Sequence, residues 1–449
     1  MNKVSLIHPR SLDLAYQASL ALNYLTRNVD AKLGHEPYFD TELLSDPPRS
    51  THNGWDFGDC TGRFVSALIY VRQMTGSQNG EEVELMLRKF LLSLFRDDGL
   101  SYRPHTAWSE MVSSMWDQGR VLTALVDWYL LTGEDTITER IENMIQAFNR
   151  ISVQKEDYCY FPANEWLGDR WQPLSEQEDL ENWRGAYSGQ PIEPLVRYYE
   201  ATKSRGALEL AKRLANGLLW GEHCERVFNQ DGSFWGHVHT RTSSAAGLVR
   251  LGLLTGNEDY LYAGKRVYDF TKTWSSNFGF VPEGLGQLNG RPLKTNGVCE
   301  VCCITDMINL QILLAEAGYE EHWDEAECYL RNHLIETQFT LSPKYTRLIK
   351  NTTKIQDTSA TTYTDVANRV AGGFIGRTYP DTAAVDFPKD RGIPDAVKSL
   401  CMGGCCVAAG VRALFLTWNH IVTKKENGVF VNLSLSRDTK WMEVISYHP

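Results

Sequence analysis

Three things are scarce in this sequence, and each scarcity removes a class of function. There is no uncharged apolar run of 18 residues, so no membrane-spanning helix is expected. The first thirty residues, MNKVSLIHPRSLDLAYQASLALNYLTRNVD, lack the continuous apolar core of a secretory signal, which points to a soluble, cytoplasmic protein. Basic charge is in the minority: 45 Lys and Arg stand against 56 Asp and Glu, a formal net charge of −11. A nucleic-acid binder needs a basic face, so that class is set aside. With 43% hydrophobic and 22% charged residues over 449 positions, the chain has the makings of a large folded core.

The apolar spacing is helical over most of the length. Stripes recur at 11–29, 60–76, 82–95, 111–133, 135–151, 189–204, 206–220, 242–256, 258–274, 299–318, 320–339 and 399–418. Between members of a pair lies a small-residue turn followed by an acid-rich start, as in MTGSQNGEE (74–82), LTGEDTITE (131–139) and LTGNEDYLYA (254–263). Glycine just past one helix and acids opening the next suit helix termini. A unit that repeats in this way and cannot bury its apolar face alone must stack on its neighbours. About six helical hairpins predict an all-α fold, an (α/α)6 barrel over residues 1–425. From Gly428 the pattern alternates, GVFVNLSLS (428–436) and then KWMEVISYHP (440–449). Residues 426–449 therefore read as β-strands, the start or remnant of a β-sandwich domain.

One end of each hairpin is tight and the other carries long aromatic, polar loops: HNGWDFGD (52–59), YRPHTAWSE (102–110), 161–190, DGSFWGHVHTR (231–241) and 278–297. A site is expected among these loops. The chain has thirteen Trp, many of them here, and flat faces with a polar edge suit sugar rings, although the same residues can simply cap a core. Trp183, His237, His239, Gln190, Asp56 and Arg241 are the candidate sugar contacts. Asp59 and Asp117 are weaker candidates near helix starts. His237 and His239 are also readable as satisfied loop histidines, and Asp59 as a helix cap. The acidic runs EDLE (178–181) and YEEHWDEAE (319–327) read as solvated faces.

Ten cysteines are unevenly placed: Cys299, Cys302 and Cys303 fall within five residues, and Cys401, Cys405 and Cys406 within six. Under reducing conditions such clusters read as metal ligands or reactive thiols before disulfides. The vicinal pairs are poor disulfide geometry. Glu300 and Cys302 near one helix start, with Cys405 and Cys406 near another, supply four ligands for a tetrahedral zinc. Taken one at a time, buried cysteines are small hydrophobes; Cys303 is either an alternative ligand or such a core residue, the core reading being favoured, and Cys299 and Cys401 are read as supporting residues.

The segments CEVCC (299–303) and GGCC (403–406) resemble those of glycoside hydrolase family 127, the β-L-arabinofuranosidases and their relatives. The resemblance runs over most of residues 50–430. It implies an (α/α)6 barrel with a Glu-Cys-Cys-Cys zinc site, here Glu300, Cys302, Cys405 and Cys406. It further implies Cys405, the first of its pair, as nucleophile; the residues by themselves do not separate Cys405 from Cys406. Glu283, in PEGLGQ seventeen positions before Glu300, is implied as general acid/base, and Gly236-His237 resembles a family Gly-His motif. The sequence departs from the family at Gln190, where a histidine is common. The expected function is a retaining β-L-arabinofuranosidase-like glycosidase with a Zn2+ cofactor and an oligosaccharide or glycoside partner; a homodimer is an open expectation. Two alternatives stand beside it. One is a metal-independent α/α-barrel enzyme, an unsaturated-uronide hydrolase or sugar epimerase using Asp or His. The other is a degenerate, zinc-clamped carbohydrate-binding protein.

Overall fold

The computed structural model describes residues 11–176, 183–222, 227–288, 291–292, 297–380, 382–386 and 398–448. Cys224 and the acidic run at 178–181 lie outside these residues. Helix α1 (Leu14–Arg27) opens where the Asp13 carboxylate accepts the amides of Ala15 and Tyr16, at 2.9 and 3.1 Å. Then come α2 (Thr61–Thr75) with α3 (Glu81–Ser93), α4 (Met115–Thr132) with α5 (Asp135–Ile151), and α6 (Trp183–Gly189). They are followed by α7 (Ile192–Thr202) with α8 (Arg205–Trp220), α9 (Val238–Thr255) with α10 (Glu258–Trp274), α11 (Val301–Glu316) with α12 (His322–Tyr329), and α13 (Gly404–His420).

The turn chemistry works as the sequence pattern suggests. Gly76, Gly133 and Gly256 close α2, α4 and α9 in the left-handed conformation, at φ 66°, 68° and 68°. Lys203 takes the same role after α7 at φ 61°. Several boundaries differ from the periodicity: α4 and α13 begin at Met115 and Gly404, four and five residues after the expected 111 and 399. Helix α9 begins at Val238, four residues before the expected 242, because its polar first turn is buried rather than exposed. The helix expected over 320–339 is regular only over His322–Tyr329 and continues in irregular turns.

Packing sorts the helices into two sets. Helices α2, α4, α9, α11 and α13 are buried on nearly every side, whereas α5 and α8 bury a single stripe. In the inner set α2 packs on α4, α4 on α7, α7 on α9, α9 on α11, α11 on α13, and α13 on α2. Outer helices α3, α5, α8, α10 and α12 lie against α2, α4, α7, α9 and α11, and α1 lies against α2 and α13.

Short strands tie down the starts of the inner helices. In chain order they are β1 (Asp40–Glu42), β2 (Arg49–Thr51), β3 (Gly236–His237), β4 (Gly284–Leu285), β5 (Cys299–Glu300), β6 (Thr361–Thr362), β7 (Arg377–Thr378) and β8 (Cys401–Gly403). Strands β6, β2, β1 and β8 form one antiparallel sheet in that order, and β3 pairs with β4 and β5 with β7. After α13, β9 (Val422–Lys425) and β10 (Gly428–Val431) form a hairpin, and Arg437–Asp438 pairs with Glu443–Val444. The expected division at 425/426 falls at the turn of that hairpin. No helix among the described residues is long and apolar enough to cross a membrane.

A thiol and carboxylate cluster at three helix starts

Strands β3, β5 and β8 each run directly into an inner helix, so the residues at the junctions meet at one end of the helical ring. His237, Glu300 and Gly403 occupy the extended position that immediately precedes α9, α11 and α13. Backbone hydrogen bonds stitch the junctions together. Val238 donates to the Glu283 carbonyl and Glu283 to that of Val298, both at 2.9 Å; Val301 donates to Gly376 at 3.1 Å and Gly376 to Cys401 at 2.9 Å. Register opposes Gly284 to His237 and Glu300 to Arg377. Glu283 is thereby held beside His237, 46 positions away in sequence, and close to the start of α11.

The first turns of α11 and α13 carry the sulfurs. Helix N-termini favour negative charge, which is where a thiolate belongs. Cys302 and Cys406 have their sulfurs 3.7 Å apart, Cys405 and Cys406 3.8 Å, and the Cys406 sulfur is 3.7 Å from Glu300 Oε1. One donor atom from each of Glu300, Cys302, Cys405 and Cys406 lies within 4.8 Å of all the others. Three of these residues are buried; Cys405 alone is half-buried. Hydrogen bonding from Cys302 and then Cys406 holds the Cys405 thiol well below the ordinary thiol range, and the same contacts push Cys302 and Cys406 up.

The GGCC motif has a packing reason. A Cβ on Gly404 would fall 2.3 Å from the Cys60 sulfur, so only glycine lets α13 start this close to α2. Gly404→Ala is expected to displace the start of α13 and lower stability by about 1–3 kcal/mol, checked by thermal unfolding.

Around the cluster, His237 Nε2 lies 2.8 Å from Glu300 Oε2. Burial pulls the imidazole down, but the Glu300 carboxylate outweighs it and the pKa is raised. Trp183 lies 6.2 Å from the His237 ring, and the Arg241 guanidinium lies over Trp183 at 5.3 Å. Glu283 Oε1 accepts two bonds from Arg377, at 2.9 Å from Nε and 2.5 Å from Nη2. Cys303 is fully buried with its sulfur 3.5 Å from Glu300 Oε2, and the Cys299 sulfur accepts the Val281 amide at 3.3 Å.

The other candidates sit deeper. His239 gives Nδ1 to Asp306 at 2.5 Å, while its Nε2 receives Arg63 and Arg120, each at 3.0 Å. Burial, then Arg120 and Arg63, holds this imidazole neutral, well below its usual range. Gln190 is buried and donates to the carbonyls of Ala186 and Thr240 at 3.3 Å and to Ser243 Oγ at 3.1 Å. Asp56 is fully buried; one oxygen accepts the Phe39 amide at 2.9 Å, the other meets His52 Nδ1 at 2.8 Å. Asp59 pairs with Arg63 at 2.7 Å, and Asp117 takes a two-pronged Arg103 at 2.6 and 2.9 Å. Arg63, Arg120, Arg377 and Asp306 were not singled out from the sequence. The available signal was a charged residue inside an otherwise apolar helical stripe, as at Arg63 in CTGRFVSALIY (60–70).

No protein-family model matches the sequence, and no curated protein matches it. Solved structures share its architecture. A glycoside hydrolase family 76 α-mannanase of Bacteroides thetaiotaomicron superposes with a TM-score of 0.58 at 11% identity, over 91% of this chain and 97% of that one. A D-mannose isomerase gives 0.60 at 13% identity, over 91% and 97%. A GH127 β-L-arabinofuranosidase of Geobacillus stearothermophilus T6 gives 0.55 at 12% identity, over 94% of this chain and 65% of that one. Carbohydrate enzymes share this fold. The chain spans a little under two thirds of that arabinofuranosidase, and at these identities the likeness is one of fold.

Proposed function

We propose that this protein is an (α/α)6-barrel retaining glycoside hydrolase that uses the thiolate chemistry of the β-L-arabinofuranosidase type. The observation that carries this reading is the spacing of Glu300, Cys302, Cys405 and Cys406. Zinc bound tetrahedrally by thiolates at about 2.3 Å sets its sulfurs about 3.8 Å apart. The separations of 3.7 and 3.8 Å match that requirement, and the carboxylate lies 3.7 Å from the Cys406 sulfur. Three thiols and a carboxylate, with Cys405 half-buried and the other three buried, make up the donor set of a Zn2+ cofactor. When bound, the metal keeps these thiols deprotonated at neutral pH.

The chain's own residues then divide the chemistry. The Cys405 sulfur attacks the anomeric carbon as the glycosidic C–O bond breaks, and Glu283 gives its proton to the departing oxygen. Glu283, now a carboxylate, takes a proton from water; that water displaces the sulfur and restores the original anomeric configuration. The half-exposed position of Cys405 supports it over Cys406 as the nucleophile. Arg377 holds Glu283 Oε1 and so fixes the orientation of its carboxyl group. His237, Trp183 and Arg241 border the cluster and are assigned to holding the sugar.

The test joins metal content to turnover. Purified protein with no metal added is expected to carry about one zinc per chain, lowered in Cys405→Ser. Glu283→Gln is expected to keep its zinc and its fold while losing roughly 10²–10⁴-fold in kcat on aryl glycosides. A metal-free, well-folded wild type would overturn the zinc-thiolate reading and favour a metal-independent barrel enzyme. Unchanged turnover in Glu283→Gln would reassign the acid.

A further inference from the structure

Below the cysteines, inside the helical ring, lies a cavity of about 40 Å³. Arg63, Ser66 and Tyr70 of α2, Arg120 and Thr123 of α4, and Ala408 and Arg412 of α13 are among its lining residues. Cys405, Ala408 and Arg412 are spaced i, i+3, i+7, so one face of α13 runs from the nucleophile's sulfur into this space. Ala408 lies about one turn, roughly 5 Å, below Cys405. The volume holds about three waters, or one carboxylate group.

The charges around the cavity are unevenly matched. Arg63 is paired with Asp59 at 2.7 Å, and Arg412 with Glu193, itself a lining residue, at 2.7 Å. Arg120 has no such partner: its nearest carboxylate oxygen is Asp59 Oδ1 at 3.7 Å, already held by Arg63. Its Nε is buried with no hydrogen-bond acceptor among the described residues, although the side chain is nine-tenths buried. Ser66 Oγ, in a residue 6% exposed, is likewise buried and unpartnered. Buried polar groups in this state are costly unless something in the cavity satisfies them. Both are able to donate, so the matching occupant is an acceptor with two oxygens. Burial and the like charge of Arg63 push the Arg120 guanidinium down to about 9, as expected where positive charge is under-compensated.

We infer that this cavity receives a carboxylate from Arg120 and Ser66, and that the sugar presented to Cys405 is an acidic one, a uronate. The inference rests on the glycosidase reading for the position of the sugar, but its test needs no turnover. D-Galacturonate and L-arabinose form a matched pair, since in their pyranose forms the ring hydroxyls share one configuration and only the first carries a carboxylate. Titrated calorimetrically into the purified, metal-containing full chain, D-galacturonate is expected to bind at least tenfold tighter than L-arabinose. Arg120→Gln is expected to abolish that preference. Ser66→Ala, a milder change that guards against misfolding of the first variant, is expected to reduce it two- to fivefold. Acetate distinguishes the source of the carboxylate: it is expected to compete only weakly. Equal binding of the two sugars, no binding of either, or acetate binding as tightly as D-galacturonate each overturns the assignment. None of these outcomes touches the zinc content or the Glu283→Gln result on which the glycosidase reading stands.

Discussion

Cys405→Ala is expected to abolish hydrolysis, lowering kcat by about 10⁴-fold or more, because it removes the sulfur proposed to form the bond to carbon. Glu300, Cys302 and Cys406 are buried, whereas Cys405 is half-buried, and hydrogen bonding from Cys302 and Cys406 lowers its thiol pKa. Cys406→Ala makes the contrast. Its sulfur lies within 3.8 Å of both other thiols and of the Glu300 carboxylate, so its loss removes the centre of the donor set. That variant is expected to lose metal first and activity in consequence, with partial recovery in excess zinc. Cys405→Ala is expected to stay inactive at any zinc concentration. Recovery of Cys405→Ala by zinc, with Cys406→Ala remaining dead, would exchange the roles of the two cysteines. An electrophilic glycoside that traps the nucleophile gives a second check: peptide mapping should find the label on Cys405.

What could be read from the sequence follows from where the information is stored. CEVCC and GGCC were legible because a site built at helix starts gathers its donors in adjacent residues, and first-turn thiols remain neighbours whatever the helices do later. The hairpin turns were legible for the same reason, since a left-handed Gly76, Gly133 or Gly256 is a local requirement. Glu283 was reached through the family resemblance alone. Its placement depends on β4 pairing with β3 and on Arg377, 94 residues away, closing the ion pair. The lumen network of Arg63, Arg120, His239 and Asp306 joins four helices. No periodicity announces it; its charges only interrupt apolar stripes. The early start of α9 belongs here too. His239, Thr240 and Arg241 belong to the loop expected over 231–241, yet they lie buried in the first turn of α9, where Arg241 bonds Thr240 and the His239 and Thr240 carbonyls accept from Ser243 and Ser244.

Glu300→Ala is expected to be the most damaging single change to the fold near the site, costing about 3–5 kcal/mol and the bound metal. The Glu300 side chain is 5% exposed; Oε2 bonds His237 and Oε1 faces the Cys406 sulfur. Removing it takes the carboxylate partner from the half-buried His237 imidazole and opens the donor set. Glu300→Gln separates the two effects: the amide keeps the shape and a hydrogen bond to His237 but is a poor partner for a cation. It is expected to retain most of the stability while losing zinc. The metal-stripped protein adds a pH signature. His237, raised by Glu300, contributes stability that is complete below its unfolded pKa of about 6.5 and is lost as pH rises through the folded value. Glu300 is lowered, chiefly by His237 against the opposing effect of burial; it contributes above about 4.3 and loses that contribution in acid. Between those limits the ion pair is intact, so the wild-type apoprotein should be more stable near pH 5.5 than near pH 8 by more than Glu300→Gln is. If both proteins show the same pH dependence, the pair does not form, and His237 is free to be assigned to substrate alone.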